Sequence, residues 1–214
     1  MERLAQRDIQ ALMEAIRKIY SETDIEALPN RIASEASKVI PSATTCFCKI
    51  IQNNRNILDI EMSSHGNKWE SPDTFKRCIH EHPFVNLLYS GKIKPHPFRE
   101  DIERAILRRF PDFKRFPENI ALKISDAFTD RQLRRLKLFN EFFHPNGIEY
   151  MLGAAISYRQ NFHTAICFSR DRKDFTEKER LILNLLSPHI GQAYRNAKAG
   201  GLIRKHESFG LTPR

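Results

Sequence analysis

Three groups of side chains in this 214-residue sequence have types and spacings that could do chemistry. His80-Glu81-His82, with His65 and His96 elsewhere, offers imidazoles and a carboxylate, all good zinc ligands. The spacing argues against a shared ion, because helical residues two apart point about 200° apart. The triplet reads more simply as the end of a helix before Pro83, with a cap and basic groups at the negative end of the dipole, and no metal is expected. Cys46 and Cys48 alternate along a β-type run and share a face, and Cys167 lies on another run that could neighbour them. Clustered thiols suit a redox switch or a thiol enzyme. The competing reading is burial, since nothing near them in sequence lowers a thiol pKa. Third come aromatic residues spread over candidate strands and helices. Phe47 and Lys49 or their strand partners, with Tyr89, Phe139, Tyr150, Leu152 and Phe168, would line a pocket for a small effector between the sheet and the helices of Lys92 to Pro117 and Thr129 to Phe143 if the layers do not close completely; alternation fixes which residues share a face but leaves open which face points inward. No GxSxG, HExxH, CxxC or Gly-rich phosphate loop occurs. The sequence therefore predicts neither a catalytic residue nor a cofactor.

The elements that must position these residues follow from periodicity and breakers. Ile9, Leu12, Met13, Ile16, Ile19 and Tyr20 repeat at helical spacing, as do Leu28, Ile32, Ala33, Ala36 and Val39 between Ile25 and Ile40, after the capping pair Thr23-Asp24. Residues 44–52 and 56–64 are β-branched and aromatic runs that read as a hairpin. From His65 to Pro117, Pro-rich joints separate two helices, Pro72 to His82 and Phe98 to Phe110. Glu118 to Asp126 reads as a strand, and a helix capped at Thr129 or Asp130 runs to a stop before Pro145. Gly147 to Arg159 and Phe162 to Arg170 form a second hairpin. The closing helix begins in a Thr176/Glu179 capping box and is expected to end at Gly200-Gly201. The result is an α+β layout, GAF/PAS-like, with an antiparallel sheet and helices on both faces.

Composition narrows the class. Thirty-five Lys and Arg against 26 Asp and Glu give a net charge of +9. Thirteen of the bases and seven of the acids fall between Lys92 and Lys137. Interleaving of the two signs favours a solvated basic face over a nucleic-acid groove. Four scattered cysteines do not make a disulfide framework. No run approaches the roughly 18 apolar residues of a membrane helix. A cytoplasmic protein with no membrane partner is expected.

The segment RDRKDFTEKERLILNLLSPHIGQAYRNA (170–197), followed by ESFGLTPR (207–214), resembles the end of the GAF-like sensor domain in LuxR-type transcription regulators. In that family such a helix precedes a linker, and LTPRE opens a helix-turn-helix. ISDAFTDRQLRRLKLFNEFFHPNGIEYMLGAAI (124–156) and EHPFVNLLYSG (81–91) look like two further segments of the family, so the likeness runs from about Thr44 to Arg214. It implies a cytoplasmic, bacterial-type sensor and dimerisation domain over residues 1–199, a linker over 200–214, and DNA contact only through a module that would follow Arg214. It also implies a homodimer and an unidentified small-molecule effector. The apolar residues for dimerisation are Ile9, Leu12, Ile16 and Ile19 near the start, with Leu181 and Leu185 near the end. The family's acyl-homoserine lactone receptors carry a WxxxY pair; here Trp69 is followed by Asp73, so that ligand is not expected. The alternative is a GAF-type thiol enzyme similar to methionine sulfoxide reductase, using Cys46, Cys48 and Cys167.

Overall fold

A computed structural model describes residues 3–52, 57–66, 72–88, 96–111, 118–158 and 162–208. Helix α1 (Gln6–Ser21) buries Leu12, Ala15, Ile16 and Ile19, the residues at three-four spacing. The sequence starts α2 at Ile25, but the helix spans Leu28–Val39, because residues 25–27 form a turn and Pro29 occupies the first helical turn. Proline is tolerated there since its missing amide would have no intrahelical partner.

Strands β1 (Thr44–Gln52) and β2 (Ile57–Gly66) form the first hairpin. Helices α3 (Pro72–Cys78), α4 (Pro83–Leu88) and α5 (Arg99–Arg109) follow, with a 3-10 turn at Ile79–Glu81. The strand expected over residues 118–126 shortens to β3 (Ala121–Lys123), and α6 (Ile124–Ala127) takes its second half. Asp126 causes the change: its Oδ2 accepts the Lys123 amide at 2.7 Å and caps the helix.

The helix expected to run unbroken from Thr129 is also interrupted. Thr129 caps α7 (Asp130–Leu133) through the Gln132 amide, but the chain then turns and resumes as a π-helical segment at Phe139–Phe143. Competing side chains take the backbone groups a continuous helix would need. Asn140 Nδ2 donates to the Arg134 and Leu136 carbonyls, and the Leu138 amide donates to Glu81 Oε2 at 2.9 Å. Strands β4 (Tyr150–Tyr158) and β5 (Phe162–Arg170) make the second hairpin, and α8 (Glu177–Ser208) closes the fold. The Thr176/Glu179 capping box forms as its sequence suggests. The expected stop at Gly200-Gly201 does not occur: glycine costs a helix about 1 kcal/mol relative to alanine but does not forbid it, and α8 continues to Ser208.

The antiparallel sheet has strand order β2-β1-β5-β4-β3. Two apolar cores lie on its faces. One joins α1, α2 and α8 to Phe47, Ala121, Leu152, Ile156, Ile166 and Phe168. The other joins α3 to α7 and the π-helical segment to Ile50, Ile60, Leu122 and Met151. No helix among the described residues is long and apolar enough to cross a membrane.

A buried ionic lock fastens α8 to this frame. Arg180 Nη2 lies 2.7 Å from Asp126 Oδ1, with the two side chains 7% and 3% exposed. Arg180 Nη1 donates to the Ala121 carbonyl at 3.0 Å, and Asn184 Oδ1 accepts the Ala121 amide at 2.7 Å. Arg109 on α5 reaches both Asp126 (3.2 Å) and Glu177 (2.7 Å). Nearby, Arg170 pairs with both Glu179 oxygens and lies over the Phe175 ring at 3.9 Å. Burial works against the Glu179 charge, but the Arg170 and Thr176 hydrogen bonds outweigh it and hold the carboxyl below its ordinary pKa.

Candidate functional site

Strand alternation decides which residues face the inserted helices. Lys49 shares a face of β1 with Phe47, and their neighbours on the opposite face are Cys46, Cys48 and Ile50. That second face, with Ala155, Ala165 and Cys167 from β4 and β5, meets Phe75, His82, Phe84 and Val85 from the inserted helices. Between them is an apolar cavity of about 50 Å³.

The candidate lining residues therefore separate. Phe139 lies in the inserted-helix layer, as expected. Phe47, Tyr150, Leu152 and Phe168 belong to the opposite core under α1, α2 and α8, so the expected pocket beneath the inserted helices does not contain them. The reason is the phase that alternation leaves open: in a period-two element, the choice of face exchanges every side chain. Phe47 and Lys49 instead line an open groove of about 410 Å³ beside Tyr194 and Lys198 of α8, where Lys49 pairs with Glu61 at 2.9 Å. Tyr89 and Trp69 lie outside the described residues. The overlooked lining residues were marked by Lys49 itself, since a lysine on a strand argues that the other face is the enclosed one.

His80-Glu81-His82 does not cap a helix with a charged imidazole. Glu81 is buried, holding the Leu138 amide with its carboxylate while its carbonyl meets His96 Nε2 at 2.8 Å. His96 Nδ1 accepts the Phe98 amide at 2.9 Å, so Nε2 carries the proton and donates to Glu81. His82 is 4% exposed, and its Nδ1 has no hydrogen-bond partner. Leaving such a nitrogen buried costs about 1–3 kcal/mol. Among the described residues, no three His, Cys, Asp or Glu side chains converge as a metal site.

The thiols do come together. Cys46 Sγ and Cys48 Sγ are 3.3 Å apart, and Cys46 pairs directly with Cys167 across β1 and β5. All four cysteines are free. Although the Cys167 contact lowers the Cys48 pKa, the Cys46 hydrogen bond and burial raise it further, leaving it well above the ordinary thiol range. Cys167 is raised by its hydrogen bond to Cys48 and by burial. Such thiols are weak nucleophiles at neutral pH.

Burial, then the nearby His96, pushes the His82 pKa down to about 3 from an ordinary 6.5. The unfolded chain thus binds a proton below about pH 6.5 that the folded chain refuses until near pH 3. Stability is whole above pH 6.5 and falls as the pH drops through that window. At pH 5 the loss from this one imidazole is about 2 kcal/mol. His96, lowered in the same direction, adds to the acid sensitivity. Urea unfolding at pH 7 and pH 5 measures the loss, and His82→Phe is expected to reduce it; equal pH sensitivity in the variant would contradict the assignment.

No family model matches the sequence, and neither does any curated protein. Solved structures do match. The VqsR LBD domain from Pseudomonas aeruginosa aligns over 88% of this chain and 96% of its own, with a TM-score of 0.58 and 9% identity. The phycoerythrobilin-bound GAF domain of a cyanobacterial phytochrome covers 92% and 100%, at 0.50 and 9%. Free methionine-R-sulfoxide reductase from Neisseria meningitidis, solved with its substrate, covers 94% and 97%, at 0.50 and 8%. The fold is GAF-like α+β.

Proposed function

We propose that this chain is the signal-sensing and dimerising domain of a LuxR-type transcription regulator. A small effector enters the cavity beneath β1 and β5, and α8 carries the response to an attached DNA-binding domain. The observation that carries this reading is the role of the residues behind the sequence resemblance. Asp126, Phe175, Thr176, Glu179 and Arg180 together fix the start of α8 to the sheet. Likeness of fold to a domain described as ligand-binding supports the same conclusion. Arg109 gives the effector side a physical link to output, joining α5 of the inserted layer to Asp126 and to Glu177 in the first turn of α8.

The dimer surface needs a different set of residues from the one the sequence suggests. Leu12, Ile16 and Ile19 already pack inside the protomer. Ile9 (48% exposed) and Met13 (60%) on α1, with Leu185 (44%) on α8, leave an outward apolar surface for a second copy. Leu181 is half-buried beside it. Sedimentation of the chain at tens of micromolar is expected to give a dimer that Met13→Lys combined with Leu185→Lys converts to monomer. A wild-type monomer at that concentration would end the dimer proposal. Fused to a heterologous helix-turn-helix that must dimerise to bind, the wild-type chain should repress a reporter and the double variant should lose at least tenfold of that repression.

The thiol reading has one observation in its favour, the 3.3 Å approach of Cys46 and Cys48 in a fold shared with a sulfoxide reductase. Buried, protonated thiols favour the sensor. Methionine sulfoxide turnover lost on Cys48→Ser would reverse that preference.

A further inference from the structure

The open groove on the other face of the sheet combines apolar walls with charges of both signs. The β1–β2 register places Lys49 directly opposite Glu61 and Phe47 opposite Ser63, so all four side chains share one face. The turn before α2 adds Ile25 and Glu26 to one wall, and α8 adds Tyr194 and Lys198 to the other. The half-buried Tyr194 ring packs on Phe47, with 5.7 Å between centroids. Burial raises the Tyr194 pKa, Lys49 lowers it, and the carboxylates of Glu61 and Glu26 raise it again, so the phenol stays protonated with three charges bearing on its oxygen. Among the described residues that hydroxyl makes no hydrogen bond and the Glu26 carboxylate no ion pair. Two cations and two carboxylates line the groove, so a ligand with a net charge of either sign meets repulsion as well as attraction. Its volume of about 410 Å³ is that of an ordinary small-molecule site.

We propose that this groove binds a free α-amino acid with a large apolar side chain. The ligand carboxylate accepts from the Tyr194 hydroxyl beside the Lys49 ammonium, the ligand ammonium meets Glu26, and the side chain lies against Ile25, Pro29 and Ile51. A zwitterion answers both signs of charge while carrying no net charge of its own. A half-open groove suits it, because the two ionic ends keep part of their hydration while the side chain leaves water. Binding is non-covalent, and since one wall is α8, occupancy ties that helix to the β1–β2 hairpin. The groove lies across the sheet from the cavity beneath the inserted helices, so the inference does not depend on the sensor reading.

L-Phenylalanine, phenethylamine and phenylpropanoate share a ring and a short chain but carry both charges, the ammonium alone and the carboxylate alone. The whole chain, ¹⁵N-labelled, is titrated with each at pH 7 while its backbone amides are followed by NMR. L-Phenylalanine is expected to shift the Lys49 and Tyr194 amides saturably with affinity near millimolar, and to leave Phe84 and Val85 on the other face in place. Each analogue should bind about tenfold more weakly, as should L-alanine, which keeps both charges but little side chain. Tyr194→Phe, which keeps the ring and removes the hydroxyl, should lower L-phenylalanine affinity about tenfold. Glu26→Gln, at an exposed position, should weaken L-phenylalanine but not phenylpropanoate, which has no ammonium to pair. No saturable shift at Lys49 and Tyr194, a shift confined to Phe84 and Val85, an analogue as tight as L-phenylalanine, or equal affinity in Tyr194→Phe would overturn the proposal.

Discussion

Asp126→Ala is expected to lower unfolding stability by about 3 kcal/mol, because it takes from the buried Arg180 guanidinium its 2.7 Å carboxylate and leaves it only the half-exposed Glu177 at 3.0 Å. The same substitution removes the cap of α6, where Asp126 Oδ2 holds the Lys123 amide. Arg109 loses one of its two partners as well. Breaking one side of a buried pair costs more than removing both. Arg180→Met in the Asp126→Ala background should therefore recover part of the loss, and a double-mutant cycle in urea reports the coupling. A loss below about 1 kcal/mol for Asp126→Ala would show that the pair is solvated and unimportant.

Phe168→Ala is expected to cost about 3–5 kcal/mol, the range for truncating a fully buried phenylalanine. It should leave the His82 cavity unchanged, since Phe168 lies in the core on the far side of the sheet. Urea unfolding measures the loss, and a variant near wild-type stability would show that the ring contributes little to that core.

The contrast between Phe168 and His82 also shows how far the sequence can be read. Local signals sufficed wherever neighbours in the chain decide the outcome. Hairpin β1–β2 follows from two β-branched runs, and the α8 cap from Thr176 and Glu179 three residues apart. Errors arose where a distant group competed. Glu81 takes the Leu138 amide from 57 residues away and helps break the expected helix. Asp126 turns the second half of a strand-like segment into a capped turn while serving Arg180, 54 residues on. On β1 the lysine at 49 marks the open face, which it shares with Phe47, so the enclosed face is that of Cys48 and Ile50. His82 gave no local sign of its burial, because Phe75, Phe84 and Phe143 become its neighbours only after the helices fold over the sheet.

Strand β3 stands at one end of the sheet, where an outward row of backbone groups would ordinarily invite another strand. At Ala121 both groups are already taken, the carbonyl by Arg180 and the amide by Asn184. Two side chains of a helix thus stand in for a sixth strand. Loosening α8 would consequently uncover a template for strand exchange. Variants of Arg180 or Asn184 should precipitate in proportion to concentration on warming, where an equally destabilised core variant such as Phe168→Ala unfolds with its β3 edge still covered until the global transition.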